Sequence, residues 1–152
     1  MRQRIGLVAV GMALLLVVGA GVFARAQEAK PAAPQEGVFI HVSHGADDPH
    51  RLLMALRMAT VMAEGGRGAL VYCDIEAVKV LAKDAPDVTL PPFPSAQAQL
   101  AHLQELGVRV RACPTCMKVA GLEESSLREG VRVADREEFF SFVPGRILSL
   151  DY

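Results

Sequence analysis

Gly107-Val108-Arg109-Val110-Arg111-Ala112-Cys113-Pro114-Thr115-Cys116-Met117-Lys118 holds the join that decides the fold. Val108, Val110 and Ala112 alternate with Arg109 and Arg111, the period of two expected of a strand with one buried face. Pro114 has no backbone N–H and a φ preset near the helical value, so it suits the first position of a helix that starts directly behind Cys113. A strand handing over to a helix in this way is the repeating join of an α/β domain. The same join makes sulfur chemistry available. Free N–H groups at a helix start, with the positive end of its dipole, favour the thiolate, which is the nucleophilic and metal-binding form of cysteine.

The alternation of elements extends in both directions. Upstream, Val38–Val42 is a short run with β-branched residues, followed by the loop Ser43-His44-Gly45-Ala46-Asp47. Asp48 caps and Pro49 opens a helix in which Leu52, Leu56, Ala59 and Met62 recur at helical spacing as far as Gly65-Gly66. Gly68–Cys73 reads as a second strand and Ile75 to Ala82 as a short helical stretch. Residues 83–95 contain Pro86, Pro91, Pro92 and Pro94, which exclude helix and central strand and predict a lid or contact loop. Ser95 caps a helix whose Leu100, Leu103 and Leu106 face one way, and Gly107 ends it. Beyond the cysteines, Gly121 and Gly130 bracket a short helix, and Val131–Val133 is a fourth strand. Asp135 and Glu138 form a capping box for a helix carrying Phe139, Phe140 and Phe142. Arg146–Leu150 is a fifth strand. Five strands alternating with helices predict the α/β class, with a mainly parallel sheet and helices on both faces.

At the start of the chain, Arg2 and Arg4 precede an uncharged apolar run, Ile5–Val22, and Ala24-Arg25-Ala26 has the small-x-small form of a cleavage site. Residues 1–26 are expected to be a secretory signal, with residues 5–22 as a membrane anchor if the segment is retained. Either fate puts the rest outside the cytoplasm, in the periplasm or an equivalent space. Residues 27–36 mix Pro, Ala and charge without periodicity and read as a flexible tether. Residues 37–152 then form the α/β domain. Three of the 16 lysines and arginines and none of the 17 acidic residues fall in positions 1–26, which leaves the remainder with a net charge of −4. That balance excludes a nucleic-acid partner on electrostatic grounds. Three cysteines is an odd number for an exported chain, so at least one thiol stays free or pairs with another molecule.

In an open parallel sheet the functional crevice lies at the carboxyl ends of the strands, where each departing loop leads to a helix N-terminus. His44 follows the first strand, Cys73 ends the second and Cys113 follows the third, so the three converge there if these strands are neighbours. Cys113 and Cys116 are the leading candidates for catalysis, with Cys73 and His44 as further ones. Each has a plainer alternative. The CxxC pair competes with a structural disulfide, although so short a loop constrains little chain. It also competes with half a zinc or copper site, for which the sequence supplies no second ligand pair. Cys73 competes with a small hydrophobe closing a buried strand, and His44 with a loop histidine bonded to a carbonyl. His41 alternates with Ile40 and Val42 and faces the other way, toward a subunit contact or a helix cover. Arg109 and Arg111 share one strand face and are expected to raise the potential near Cys113. No cofactor is expected.

From Gly37 to Tyr152 the chain resembles the DsrE/DsrF-like proteins of sulfur relay, which have the YchN-like fold. The resemblance is carried by Gly107–Leu122, in which a cysteine precedes a Met-Lys-x-x-Gly stretch, and more weakly by Asp48–Ala63. It implies a three-layer α/β/α domain that assembles into trimers or hexamers, and in some members a persulfide on the cysteine matched by Cys113. Two features depart from the relay proteins of the cytoplasm: the export signal and Cys116. The expectation is an extracytoplasmic persulfide carrier with Cys113 as nucleophile and Cys116 as resolving thiol. Its partner would be a sulfur donor or acceptor protein or a small persulfide. A CxxC thiol-disulfide oxidoreductase and a non-enzymatic metal-binding or interaction protein are the alternatives.

Overall fold

A computed structural model describes residues 36–152. The expected signal or anchor, and residues 27–35 of the expected tether, lie outside the described residues. Strands Gly37–Val42 (β1), Gly68–Cys73 (β2), Arg109–Ala112 (β3), Val131–Val133 (β4) and Ile147–Asp151 (β5) form one sheet in the order β4-β3-β2-β1-β5. Every neighbouring pair is parallel. The helices are Pro49–Glu64 (α1), Ala77–Val80 (α2), Ala96–Glu105 (α3), Pro114–Val119 (α4) and Glu138–Ser141 (α5).

The winding explains how these helices are shared between the two faces. From β1 to β4 the chain advances across the sheet in one direction, and from β4 to β5 it returns to the far side of β1. Right-handed crossovers of opposite direction lie on opposite faces. Accordingly α1 and α3 cover one face and α5 the other. On the first face Val38, Ile40, Val42, Val71, Cys73, Val110 and Ala112 alternate inward and meet Leu52, Leu53, Leu56, Leu100 and Leu103, all buried in one core. The second face carries Phe39, His41, Leu70, Tyr72 and Arg111 at the intervening positions. Phe139 of α5 packs edge-on against Phe39 and Tyr72, with ring centroids 5.3 and 5.0 Å apart. The three expected layers are present, the third reduced to about one helical turn.

Local signals read from the sequence act as expected at α1, where the Asp48 side chain accepts from the Arg51 N–H at 3.2 Å and Pro49 opens the helix. Others are corrected. Asp135 accepts from the Glu137 N–H at 3.0 Å, but Glu138 does not complete a capping box. Its carboxylate turns to β3 and binds Arg111, because a shielded guanidinium without a counter-charge costs more than an open cap. The helix expected between Gly121 and Gly130 is a single 3₁₀ turn, Glu124–Ser126. Glu36 belongs to the fold and not to a tether: its carbonyl accepts from the Gly68 N–H at 3.0 Å and its carboxylate pairs with Arg146. The proline-rich loop is tied to α3, since the carbonyl of buried Val88 accepts from the Ala96 N–H and the Asp87 carboxylate from the Gln97 N–H, both at 2.9 Å. Among the described residues no helix is long and apolar enough to cross a membrane.

Candidate functional site

The β2–β3 register pairs Cys73 with Ala112, and one residue further the Cys113 N–H donates to the Cys73 carbonyl at 2.9 Å. Cys113 keeps an extended backbone, φ −64° and ψ 119°, so strand alternation carries through it. Its side chain therefore lies on the face of Arg111 and Tyr72, partly buried where that face meets the rim of the main core. Tyr72 stands opposite Arg111 and is thus the diagonal neighbour of Cys113, a separation that a tyrosine side chain spans. Burial pushes the Cys113 thiol up. The Tyr72 hydroxyl acting as a hydrogen-bond donor to the sulfur, the Cys116 N–H and thiol, and the Thr115 N–H outweigh that, and hold the thiol below the ordinary cysteine value.

Cys116, in the first turn of α4, is pushed the other way. Burial raises its pKa, the Ile75 N–H opposes this, and the charges of Cys113 and Asp74 add to the rise. The pair is therefore asymmetric: Cys113 ionises first and Cys116 keeps its proton. Ile75 supplies its N–H from a left-handed backbone with φ 44°, the one non-glycine with positive φ among the described residues. For a β-branched side chain that conformation costs about 1–3 kcal/mol. The turn leaving β2 is thus held in a strained form beside a thiol.

Behind Tyr72 lies a polar bridge. The His41 Nε2 is 2.9 Å from Asp74 Oδ2 and its Nδ1 is 3.0 Å from Asp151 Oδ1, so both nitrogens bond best when both carry protons. Burial lowers the His41 pKa, but the bonds to Asp74 and Asp151 and their charges win, and the net shift is upward. The His41 ring is 5.8 Å from that of Tyr72, which also stacks on Phe39 at 6.1 Å. The second Asp74 oxygen is buried without a hydrogen-bond partner.

The strands bearing His44, Cys73 and Cys113 are neighbours, yet their side chains do not converge. Cys73 points into the α1 and α3 core and is fully buried, which pushes its thiol up to about 12 and leaves it inert; it serves the site through its carbonyl. His44 is engaged by Asp47 at 2.7 Å and by Arg51 at 3.0 Å, on the loop before α1. Arg109 and Arg111 both turn to Glu138, whose single carboxylate offsets one of their two charges, and neither is among the main causes acting on the Cys113 thiol. His41 does lie on the face opposite the main core, as its alternation implied. The residues missed from the sequence are Tyr72, Asp74 and Asp151. Tyr72 and Asp74 flank Cys73, so strand alternation alone puts both on the face of Cys113. Asp151 reaches His41 only because β5 lies beside β1, which no local signal reveals. Among the described residues no group of three or more His, Cys, Asp or Glu side chains is placed to hold a metal ion.

Comparison with known proteins agrees with the fold. The model of the DsrE/DsrF-like family matches residues 36–143. The ychN protein of E. coli is similar in structure, with a TM-score of 0.61 and 18% identity over 76% of this chain and 99% of its own. The protein MTH1491 of Methanobacterium thermoautotrophicum has a TM-score of 0.58 and 20% identity over 77% of this chain and 99% of its own. No curated protein sequence matches.

Proposed function

The chain belongs to the DsrE/DsrF-like family, which is associated with sulfur relay, and from that premise we propose that it is an exported persulfide carrier acting through Cys113. The observation that carries this reading is the asymmetry of the thiol pair. Cys113 is partly exposed, at the carboxyl edge of the sheet, with its thiol lowered, while Cys73 and Cys116 are both raised. In loading, the Cys113 thiolate attacks the outer sulfur of a donor persulfide. A new S–S bond forms, the donor's S–S bond breaks, and the donor leaves as its thiolate. Discharge repeats the step with an acceptor thiolate as attacker and Cys113 as leaving group. Cys116 resolves a persulfide that finds no acceptor: it loses its proton, attacks the Cys113 Sγ and expels hydrosulfide. The sulfane sulfur is then reduced by two electrons and the two cysteines are oxidised to a disulfide.

The basic, apolar and small-x-small pattern of residues 1–26 supports export to the periplasm or an equivalent space, with residues 5–22 as an anchor if they are kept. A donor or acceptor protein, or a small persulfide, is the partner, and assembly into a trimer or hexamer follows the family resemblance. Intact mass spectrometry of protein purified without reductant tests the reading. A gain of about 32 Da that vanishes in Cys113→Ser is the expected result, and full loading of that variant sinks it. A second reading, thiol-disulfide exchange, is favoured by the contact between the two free thiols. A loss of about 2 Da without added sulfur would put it first.

A further inference from the structure

We infer that Tyr72 is a catalytic residue of this site, a hydroxyl donor that stabilises Cys113 as the leaving group, so that it speeds the discharge of sulfur to an acceptor more than its uptake. The inference rests on the proposed carriage of sulfur by Cys113. Its structural basis is the β2–β3 register, which places Tyr72 diagonally beside Cys113 on one sheet face, with the extended Cys113 backbone directing the sulfur to that face. The tyrosine is not free to turn away. Its ring is held by Phe39 at 6.1 Å, Phe139 at 5.0 Å and His41 at 5.8 Å, and His41 is itself clamped between Asp74 and Asp151. Burial together with the nearby Cys113 pushes the Tyr72 hydroxyl up, so it keeps its proton and remains a donor wherever Cys113 is ionised.

The direction of the effect follows from where the charge sits. In the empty state the negative charge is on the Cys113 Sγ, diagonally beside Tyr72 across the β2–β3 register. After loading, it sits on the terminal sulfur, about 2 Å further out, and the atom beside Tyr72 is a nearly neutral bridging sulfur. When an acceptor thiolate attacks the terminal sulfur, a new S–S bond forms to the acceptor, the bond to Cys113 breaks, and its electron pair returns to the Sγ that Tyr72 faces. A hydrogen bond present at the end of discharge and weakened by loading favours discharge both in rate and at equilibrium. No proton is transferred to the sulfur, and no oxidant or reductant enters.

The test uses the full chain in a Cys116→Ser background, with and without Tyr72→Phe. Two quantities are measured: the pH midpoint of Cys113 alkylation by iodoacetamide, and the rate at which dithiothreitol displaces a glutathione mixed disulfide or a persulfide from Cys113. Tyr72→Phe is expected to raise the midpoint and slow the displacement roughly tenfold, the weight of a hydrogen bond to a charged group. Global replacement of the two tyrosines by fluorotyrosine, a more acidic donor, is expected to move the midpoint down. An unmoved midpoint, or equal displacement rates, overturns the inference. Failure of sulfur carriage itself would show separately, as a wild-type chain that never gains 32 Da, while the alkylation midpoint and the mixed disulfide still report on Tyr72.

Discussion

Arg111 and Glu138 close a two-pronged ion pair between β3 and α5, with Nε 2.5 Å from Oε2 and Nη2 2.7 Å from Oε1. Both side chains are shielded, at 11% and 18% exposure. With Phe139 the pair fixes α5 on the face that carries Tyr72 and Arg111. Glu138→Ala strands a guanidinium without its counter-charge and is expected to lower the unfolding free energy by about 2–3 kcal/mol, toward the low side for buried pairs because both ends stay partly wetted. Arg111→Met combined with Glu138→Leu should recover most of that loss. Urea titrations of the single and double variants check this, and a double variant weaker than Glu138→Ala contradicts it.

His41 gives the fold a pH dependence whose sign is set by its upward shift. The folded protein holds the ring's proton more tightly than the unfolded chain does. The stabilisation is therefore complete below the unfolded histidine value, about 6.5, and is lost as pH rises through the higher folded value. His41→Asn is expected to flatten this decline. Denaturation midpoints from pH 5 to 9 for both proteins measure it; an identical slope in the variant would assign the decline to another group.

Ile75→Gly releases the left-handed turn from its side-chain strain and leaves the N–H available to Cys116. Glycine also loses more freedom on folding, so the expected net gain is about 1 kcal/mol. The isoleucine side chain is 59% exposed, and little packing is given up. Thermal unfolding checks the gain, with Ile75→Ala, which keeps the strain, as the comparison that should show none.

Cys73→Ser places a hydroxyl in the main core and is expected to cost about 1–3 kcal/mol if it finds no partner. Sulfur loading at Cys113 should be unchanged, because the contribution of residue 73 to the site is its backbone carbonyl. Loss of loading in a variant that still folds would show the Cys73 thiol to be part of the chemistry.

Much of this was legible in the chain. Alternation at Val108–Ala112, the short apolar run Gly68–Cys73, helical spacing from Leu52 to Met62, and caps at Asp48 and Ser95 are local signals, and each element they predict is present. The position of Cys113 after β3 was equally local. Partnerships between distant strands were not. The place of β5 beside β1 brings Asp151 to His41 across 110 residues, and the return crossover brings Glu138 to Arg111 across 27. Glu138 shows why a local motif can mislead: the same carboxylate satisfies either a helix cap or a shielded arginine, and only the packed structure decides which need is greater.

Under the proposed carriage of sulfur by Cys113, the hydrogen bond from its N–H to the Cys73 carbonyl bears on how cargo travels. A sulfur whose main chain is stitched into a parallel ladder cannot swing between stations as it would on a flexible arm. Delivery therefore falls to the visitor, which must bring its own sulfur to the lip of the sheet within bond-forming reach. The rate of exchange is then governed by how well two surfaces meet, and a mismatch there would slow transfer while leaving the thiol itself fully reactive toward small reagents.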